Sequence, residues 1–197
     1  MSSIIKIHVI YYIIKFIMNI FEYLDWNIEK QKFTTSTSVG KMEFTNLIAT
    51  FNPSACKRLV LGCHYDSKQF KSNKNFVGAI DAAVPCTMLI RLAQRLNHHL
   101  NKSLLSDYLT LQLIFFDGEE SFQNGNSDDS LYGSKYLAEF WSKKQISNKQ
   151  NCNFSINQLD TIETLIVLDL IGSKQPNFYS FFPNTKRLFN EFIRIGN

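Results

Sequence analysis

The sequence predicts an α/β domain built on a mostly parallel twisted sheet flanked by helices. Three features of the chain point there. Leu111 to Phe116 is a near-continuous apolar run that stops at Asp117-Gly118-Glu119-Glu120. A run of that length suits a strand covered on both faces, and Asp-Gly supplies the turn out of it. Arg58 to Cys63 and Thr164 to Leu168 are further short apolar runs that end in ionisable groups, His64 and Asp66 in one case and Asp169 in the other. Segments with helical apolar spacing separate these runs, the order expected of strands joined by crossover helices. In such open sheets the ligand crevice lies outside the carboxyl ends of the strands, where those polar groups stand.

Ile4 to Leu24 is apolar and aromatic but is interrupted by Lys6, His8, Lys15, Asn19 and Glu22. It holds no uninterrupted span of bilayer length, and no small-residue cleavage site follows its apolar part. Residues 1–24 are expected to form an N-terminal helix packed on an α/β domain of residues 25–197. Asp25 to Lys32 and Gly40 to Phe51 read as strands of a meander, joined by polar Thr34 to Ser38 and closed by the Asn52-Pro53-Ser54 turn. After the Arg58 to Cys63 strand and a loop at Ser72 to Asn75, a helix opens at Gly78 and runs to about His99. Val84, Met88, Leu92 and Leu96 are spaced to face the sheet, and Pro85 is tolerated because first-turn amides have no intrahelical acceptor. A polar loop from Gln123 to Ser130 leads to a helix from about Leu131 to Lys144, and a linker from Gln145 to Asn157 precedes the Thr164 to Leu168 strand. Pro183 to Ile195 begins another amphipathic helix, with Leu188, Phe189 and Phe192 on its apolar side.

At 197 residues, 45% hydrophobic and 19% charged, the chain has the size and composition of one globular domain with a real core. A net charge of +4 arises from Lys and Arg that are scattered and never exceed two in succession, so no nucleic-acid surface is expected. Cys56, Cys63, Cys86 and Cys152 lack the paired short spacings of a zinc finger or a thioredoxin-like site. Asn101-Lys102-Ser103 and Asn153-Phe154-Ser155 are glycosylation sequons, which matter only to a chain in the secretory pathway.

His64, Asp81, Glu119, Glu120 and Asp169 are the candidate site residues. Taken alone, Asp81 reads as an N-terminal helix cap and the acids after Phe116 as a solvated turn. Convergence of the strand ends makes them one set. Nitrogen and oxygen donors in one crevice suit zinc (Zn2+), whose catalytic sites take about three protein ligands and keep a position for water or substrate. Of two adjacent glutamates, one can bind the metal while its neighbour moves protons.

The blocks Asn46 to Pro53, His64 to Lys68, Val77 to Cys86, Leu111 to Glu120, Asp129 to Ser134 and Leu168 to Gly172 resemble the animal glutaminyl-peptide cyclotransferases, or glutaminyl cyclases. The resemblance runs in order from roughly Trp26 to Ile195, and that family shares its fold with zinc aminopeptidases. It implies one zinc per chain held by Asp81 and Glu120, with Glu119 as the proton shuttle and Asp169 orienting the substrate amine. His64 is implied to support the site from outside the metal's coordination sphere, at a position where two-metal aminopeptidases keep a ligand of their second zinc. Lys68 and Tyr65 are expected to be framework. A disulfide between Cys63 and Cys86 is implied, and Cys56 and Cys152 are left without assigned partners. The family's third zinc ligand, a histidine, has no counterpart after Asp169, and its pocket tryptophan is Gly125 here. The chain is therefore expected to be an incomplete copy of that domain at its C-terminal end.

The implied reaction is an acyl transfer that closes the N-terminal glutamine or glutamate of a peptide or protein into pyroglutamate, releasing ammonia or water. A zinc aminopeptidase and a shortened homologue without catalytic activity are the alternatives. The Cys63/Cys86 pair and the Asp129 to Gly133 block favour the cyclase over the aminopeptidase, while the missing histidine favours the inactive homologue. A monomer without a membrane span, located in the secretory pathway, is expected.

Overall fold

The computed structural model describes residues 3–68, 70, 76–100, 107–123, 128–146, 152 and 156–196, and for residues 3–8 and 156 the backbone only. The helices are α1 (Ser3–Tyr23), α2 (Val84–Leu100), α3 (Tyr132–Lys143) and α4 (Lys186–Gly196). The strands are β1 (Asn27–Thr37), β2 (Gly40–Thr50), β3 (Lys57–His64), β4 (Leu109–Phe116), the two-residue pair β5 (Gln145–Ile146) and β6 (Ile156–Asn157), and β7 (Ile162–Val167). Five of them form one sheet in the order β1-β2-β4-β3-β7, and β5 and β6 form a separate ribbon. The sequons, the Ser72 to Asn75 loop and Gly125 lie outside the described residues.

The sheet is mixed. β3 pairs parallel with β4 and with β7, in the half that carries the strand-end acids, whereas β1–β2, the expected meander, and β2–β4 are antiparallel. The expected polar connection at Thr34 to Ser38 is strand as far as Thr37. Its threonines pair across to Gly40–Glu43 in the hairpin, and β-branched side chains suit such a pleated surface. Gly40, at φ 115°, supplies the positive φ that the hairpin needs.

Alternate residues of the central strands feed two cores. On one face Leu47, Ala49, Leu111, Leu113 and Phe115 pack with Ile17 and Phe21 of α1 and with Leu89, Ile90 and Ala93 of α2. On the other, Ile48, Val60 and Ile114 meet Leu137 and Trp141 of α3. The N-terminal helix is thus part of the core, with the Phe21 ring 5.8 Å from that of Phe115. No helix among the described residues is long and apolar enough to cross a membrane.

The buried face of α2 differs from the expected one. Pro85, Leu89, Ile90 and Ala93 point inward, Met88 is 43% exposed, and of the expected stripe Leu96 still packs on the core. Leu89, Ile90, Ala93 and Leu96 are themselves at helical spacing, so a second apolar stripe of the same helix takes the sheet side, after a kinked entry at Asp81 and Ala82.

The cysteine pairing also needs correction. The disulfide joins Cys56 to Cys152, closing a loop of 96 residues. Cys63 and Cys86 are free thiols whose sulfurs lie 3.3 Å apart, well beyond the roughly 2.05 Å of a covalent bond. Cys86 also directs its thiol to the His64 carbonyl at 3.1 Å, and burial keeps the Cys63 thiol well above its ordinary pKa. Closing a loop of that size constrains the unfolded chain by roughly 4–5 kcal/mol in the chain-entropy view. Replacing Cys56 and Cys152 together by serine is expected to lower stability in urea by about 2–5 kcal/mol. A thiol titration of the unfolded, unreduced chain should find two free thiols, and four would overturn the pairing.

At the far side of the sheet, apolar surface is left open among the described residues. Leu165 and Val167 of β7 are 50% and 58% exposed, and α4 exposes Phe192, Ile193 and Ile195 at 57%, 50% and 75%.

Candidate active site

The parallel register of β3, β4 and β7 brings their carboxyl ends to one edge: His64 stands opposite Phe116, and Gly62 opposite Val167. The residues that follow these ends are the ones singled out in the sequence. Asp81 reaches the same edge from the kinked turn Ala79–Ala83, which opens at Gly78 with φ 59°. A Cβ at Gly78 would strike the Asp81 carbonyl, so the turn requires glycine.

His64 is the hub of the site. Its ring is 3% exposed, with Nε2 at 2.8 Å from Asp81 Oδ1 and 3.5 Å from Asp169 Oδ1. Donor atoms of these three residues all lie within 4.8 Å of one another. On the other side Nδ1 meets the Asp66 main-chain carbonyl at 3.0 Å and Asp66 Oδ1 at 3.4 Å. Nε2 touches Asp81 as an ion pair but finds no hydrogen-bond partner of good geometry. Desolvation by itself would lower the imidazole's pKa. The hydrogen bond and charge of Asp66, with the charges of Glu119 and Asp81, outweigh it and carry the pKa up to about 10.

The turn after β4 is held at nearly every main-chain polar group. Asp117 donates its N–H to Asn46 Oδ1 at 3.1 Å, and its buried carboxylate accepts the N–H groups of Thr45 at 2.8 Å and Gly118 at 2.9 Å. Burial raises that carboxyl to about 6. Gly118, at φ 64°, lies against the Phe44 ring, where a Cβ would not fit. The Gly118 and Glu119 carbonyls accept the N–H groups of Tyr132 at 2.8 Å and Leu131 at 3.0 Å. The N–H groups of Glu119 and Glu120 go to Asp66 Oδ1 and Oδ2, each at 3.1 Å.

Burial pushes the Glu119 carboxyl up to about 7; His64 opposes this, while Glu120, Asp66 and Asp169 add to it. Glu120 is likewise raised by burial and then by the charge of Asp81, with Lys68 opposing. Glu120 Oε2 lies 3.6 Å from Lys68 Nζ, and Oε1 is buried without a hydrogen-bond partner. Lys68 is itself anchored on the Ser121 carbonyl at 2.7 Å and on the Ser121 hydroxyl.

All five candidate residues stand at this edge, and three of them, His64, Asp81 and Asp169, form the tight donor cluster. Glu120 lies outside that cluster although it feels Asp81's charge. Tyr65 is framework in the structure, its hydroxyl on the Thr45 carbonyl at 2.7 Å, whereas Lys68 reaches the site through Glu120. Asp66 carried a strand-end signal in the sequence, but nothing there showed that its carboxylate would hold two distant amides. The residues expected to hold zinc suit it: Glu120 Oε1 is a buried carboxylate oxygen without a partner, and Asp81, whose charge Glu120 feels, offers a second carboxylate.

Residues 46–195 match the family model described as Peptidase family M28. A glutaminyl-peptide cyclotransferase of Bos taurus is 46% identical over 177 residues, covering 87% of this chain and 48% of the relative. One of Drosophila melanogaster is 45% identical over 164 residues, covering 83% of this chain and 42% of the relative. The crystal structure of Macrostomum lignano glutaminyl cyclase superposes with a TM-score of 0.73 at 34% identity, over 90% of this chain and 52% of that one. The chain spans about half the length of the relatives it matches. With residues 46–195 matching its model, the chain belongs to peptidase family M28 and is similar within it to the glutaminyl-peptide cyclotransferases.

Proposed function

We propose that this chain carries the site of a zinc-dependent glutaminyl-peptide cyclotransferase, which turns an N-terminal Gln or Glu of a peptide into pyroglutamate with release of ammonia or water. The observation that supports it most is the placing of Glu119 next to Glu120 at the crevice edge, both amides held by the Asp66 carboxylate at 3.1 Å, with burial raising the Glu119 carboxyl toward the working pH in the metal-free site. A group with a pKa near the working pH can both take and return a proton. Zinc, held by Asp81 and Glu120, would supply Lewis-acid polarisation of the substrate's γ-carbonyl. Glu119 would take a proton from the attacking α-amine and return it to the departing ammonia. Asp169, with its side chain 43% exposed at the rim, would hold that amine by charge and hydrogen bonding. Nucleophile and electrophile belong to one residue, so the protein's share is orientation and charge stabilisation. The test is ammonia release from a glutaminyl peptide with added zinc by this chain joined to the C-terminal part of a related cyclotransferase, run beside hydrolysis of leucine amide. Hydrolysis without ammonia release from the glutaminyl peptide would overturn the reading.

One observation favours a second reading. The cluster of His64, Asp81 and Asp169 could itself hold a metal, as in a two-metal aminopeptidase. His64 keeps its proton up to a pKa of about 10 in the metal-free site, and a ligating imidazole must lose it. Binding there should release a proton, and affinity should climb as pH rises from 7 toward 10. Calorimetry that counts zinc per chain separates the two: one zinc supports the cyclase, and two support the aminopeptidase.

The Cys56–Cys152 disulfide supports a secretory-pathway origin, since such bonds persist in oxidising compartments.

A further inference from the structure

We propose that Asp66 is a positioning residue that aims both glutamates, its two carboxylate oxygens each gripping one of their main-chain amides. The inference rests on the cyclase reading for what Glu119 and Glu120 do, but the grip itself is geometry. Glu119 N–H donates to Oδ1 and Glu120 N–H to Oδ2, both at 3.1 Å, from residues 53 and 54 positions further along the chain.

The reason a side chain is needed here lies in where the β3–β4 ladder ends. Its last main-chain rung is Tyr65 N–H on the Phe116 carbonyl at 3.0 Å. Beyond it β4 leaves the extended conformation at Gly118, whose φ is 64°. In a strand, successive N–H groups point to opposite sides, so no single acceptor could serve two in a row. After the turn, the Glu119 and Glu120 amides converge on one side and face the chain that continues from β3. No main-chain carbonyl of β3 remains to meet them, and a two-oxygen carboxylate matches two adjacent N–H donors. Asp66 therefore continues the sheet pairing by side chain at the point where the reacting carboxylates begin.

The opposite side of the turn is already fixed by Tyr132 and Leu131 on the Gly118 and Glu119 carbonyls. Between those bonds and Asp66, the backbone of both glutamates is held from two sides, which sets the direction of each side chain from its Cα. Charge-assisted bonds of this kind are about twice as strong as neutral ones. Misplacing a reacting group by about 1 Å can cost about 100-fold in rate, so an aiming device at this turn is consequential for chemistry as well as for folding.

The experiment is amide hydrogen exchange by NMR on the full chain, with zinc affinity by calorimetry alongside. In Asp66→Ala, the Glu119 and Glu120 amides should exchange at least about tenfold faster while the Val60 and Leu113 amides keep the parent's rates, and zinc should bind about tenfold more weakly because Glu120 is no longer aimed. Asp66→Asn keeps one carbonyl oxygen and turns an NH2 toward the other amide, so only one of the two should stay protected. Parent-like protection of both amides in Asp66→Ala would overturn the proposal. If that variant does not fold, parent-like protection of both in Asp66→Asn would do the same. Exchange is read without substrate, so the clamp can fail while cyclase activity stands, and inactivity on glutaminyl peptides would leave the clamp intact.

Discussion

Ammonia release from a glutaminyl peptide is expected to stay near background for a polypeptide of these 197 residues supplied with zinc. It should rise by about 100-fold or more when the same residues are joined to the C-terminal part of a related cyclotransferase. A catalytic zinc takes about three protein ligands, and the cyclase reading provides two, Asp81 and Glu120, with no histidine anywhere after Asp169. Removing even a group that only supports a ligand costs about 10–100-fold in metal affinity or activity, so a missing ligand costs at least that. The shortfall has a second cause. Asp169 is 43% exposed at its side chain, and Leu165, Val167 and the apolar side of α4 stand open among the described residues. Water that reaches the crevice screens the charges meant to stabilise the reacting oxygen. A third is competition, because zinc entering the His64–Asp81–Asp169 cluster would occupy the carboxylate assigned to the substrate amine. The measurement compares the two polypeptides at equal zinc, and equal rates would overturn the claim that further ligands and cover are required.

What could be read from the sequence was set by how local the signal is. The buried strand at Leu111 to Phe115 follows from its own apolar run, and the strand-end positions of His64, Glu119, Glu120 and Asp169 follow from adjacency to such runs. The face of α2 could not be read, because Val84-Met88-Leu92-Leu96 and Leu89-Ile90-Ala93-Leu96 are both apolar stripes at helical spacing, and only packing against the sheet chooses between them. Disulfide pairing was equally hidden. Cys56 meets Cys152 only once the chain has folded across 96 residues, whereas Cys63 and Cys86, brought side by side by β3 and α2, stop at 3.3 Å. Asp66 shows the same limit at the site, since a carboxylate serving amides 53 and 54 residues away is a property of the parallel register of β3 and β4. Residue types and strand ends therefore outlined the site, and contacts across the sheet decided how its parts are held.

Glu119→Gln, made in the joined chain, is expected to lower the rate of ammonia release by about 10²–10⁴-fold, the usual contribution of a positioned acid–base group. Glutamine matches glutamate in shape, and the main-chain bonds that hold this position, to Asp66 and from Leu131, do not involve the side chain. The fold should therefore be kept while the proton carrier is lost. The pH dependence gives a sharper check. The parent's carboxyl is raised to about 7 in the metal-free site, and a nearby cation can only lower it, so the rate should fall as pH drops through a value no higher than about 7. The part of that limb due to Glu119 should vanish in the variant, leaving the part set by the substrate's own α-amine, which titrates at about 7.7–8.0. Stability of the metal-free chain should move the other way. With its pKa raised from 4.5 to about 7, Glu119 binds its proton more tightly in the folded chain. Its contribution is then fully present below about 4.5 and is lost as pH rises to about 7. Glutamine carries no such proton, so relative to the parent the variant should be more stable at pH 8 than at pH 4, a trade of stability for activity at a working site. Urea melts at the two pH values, with rates on a glutaminyl peptide, make the test. A variant that keeps the parent's rate would remove Glu119 from the role of proton carrier.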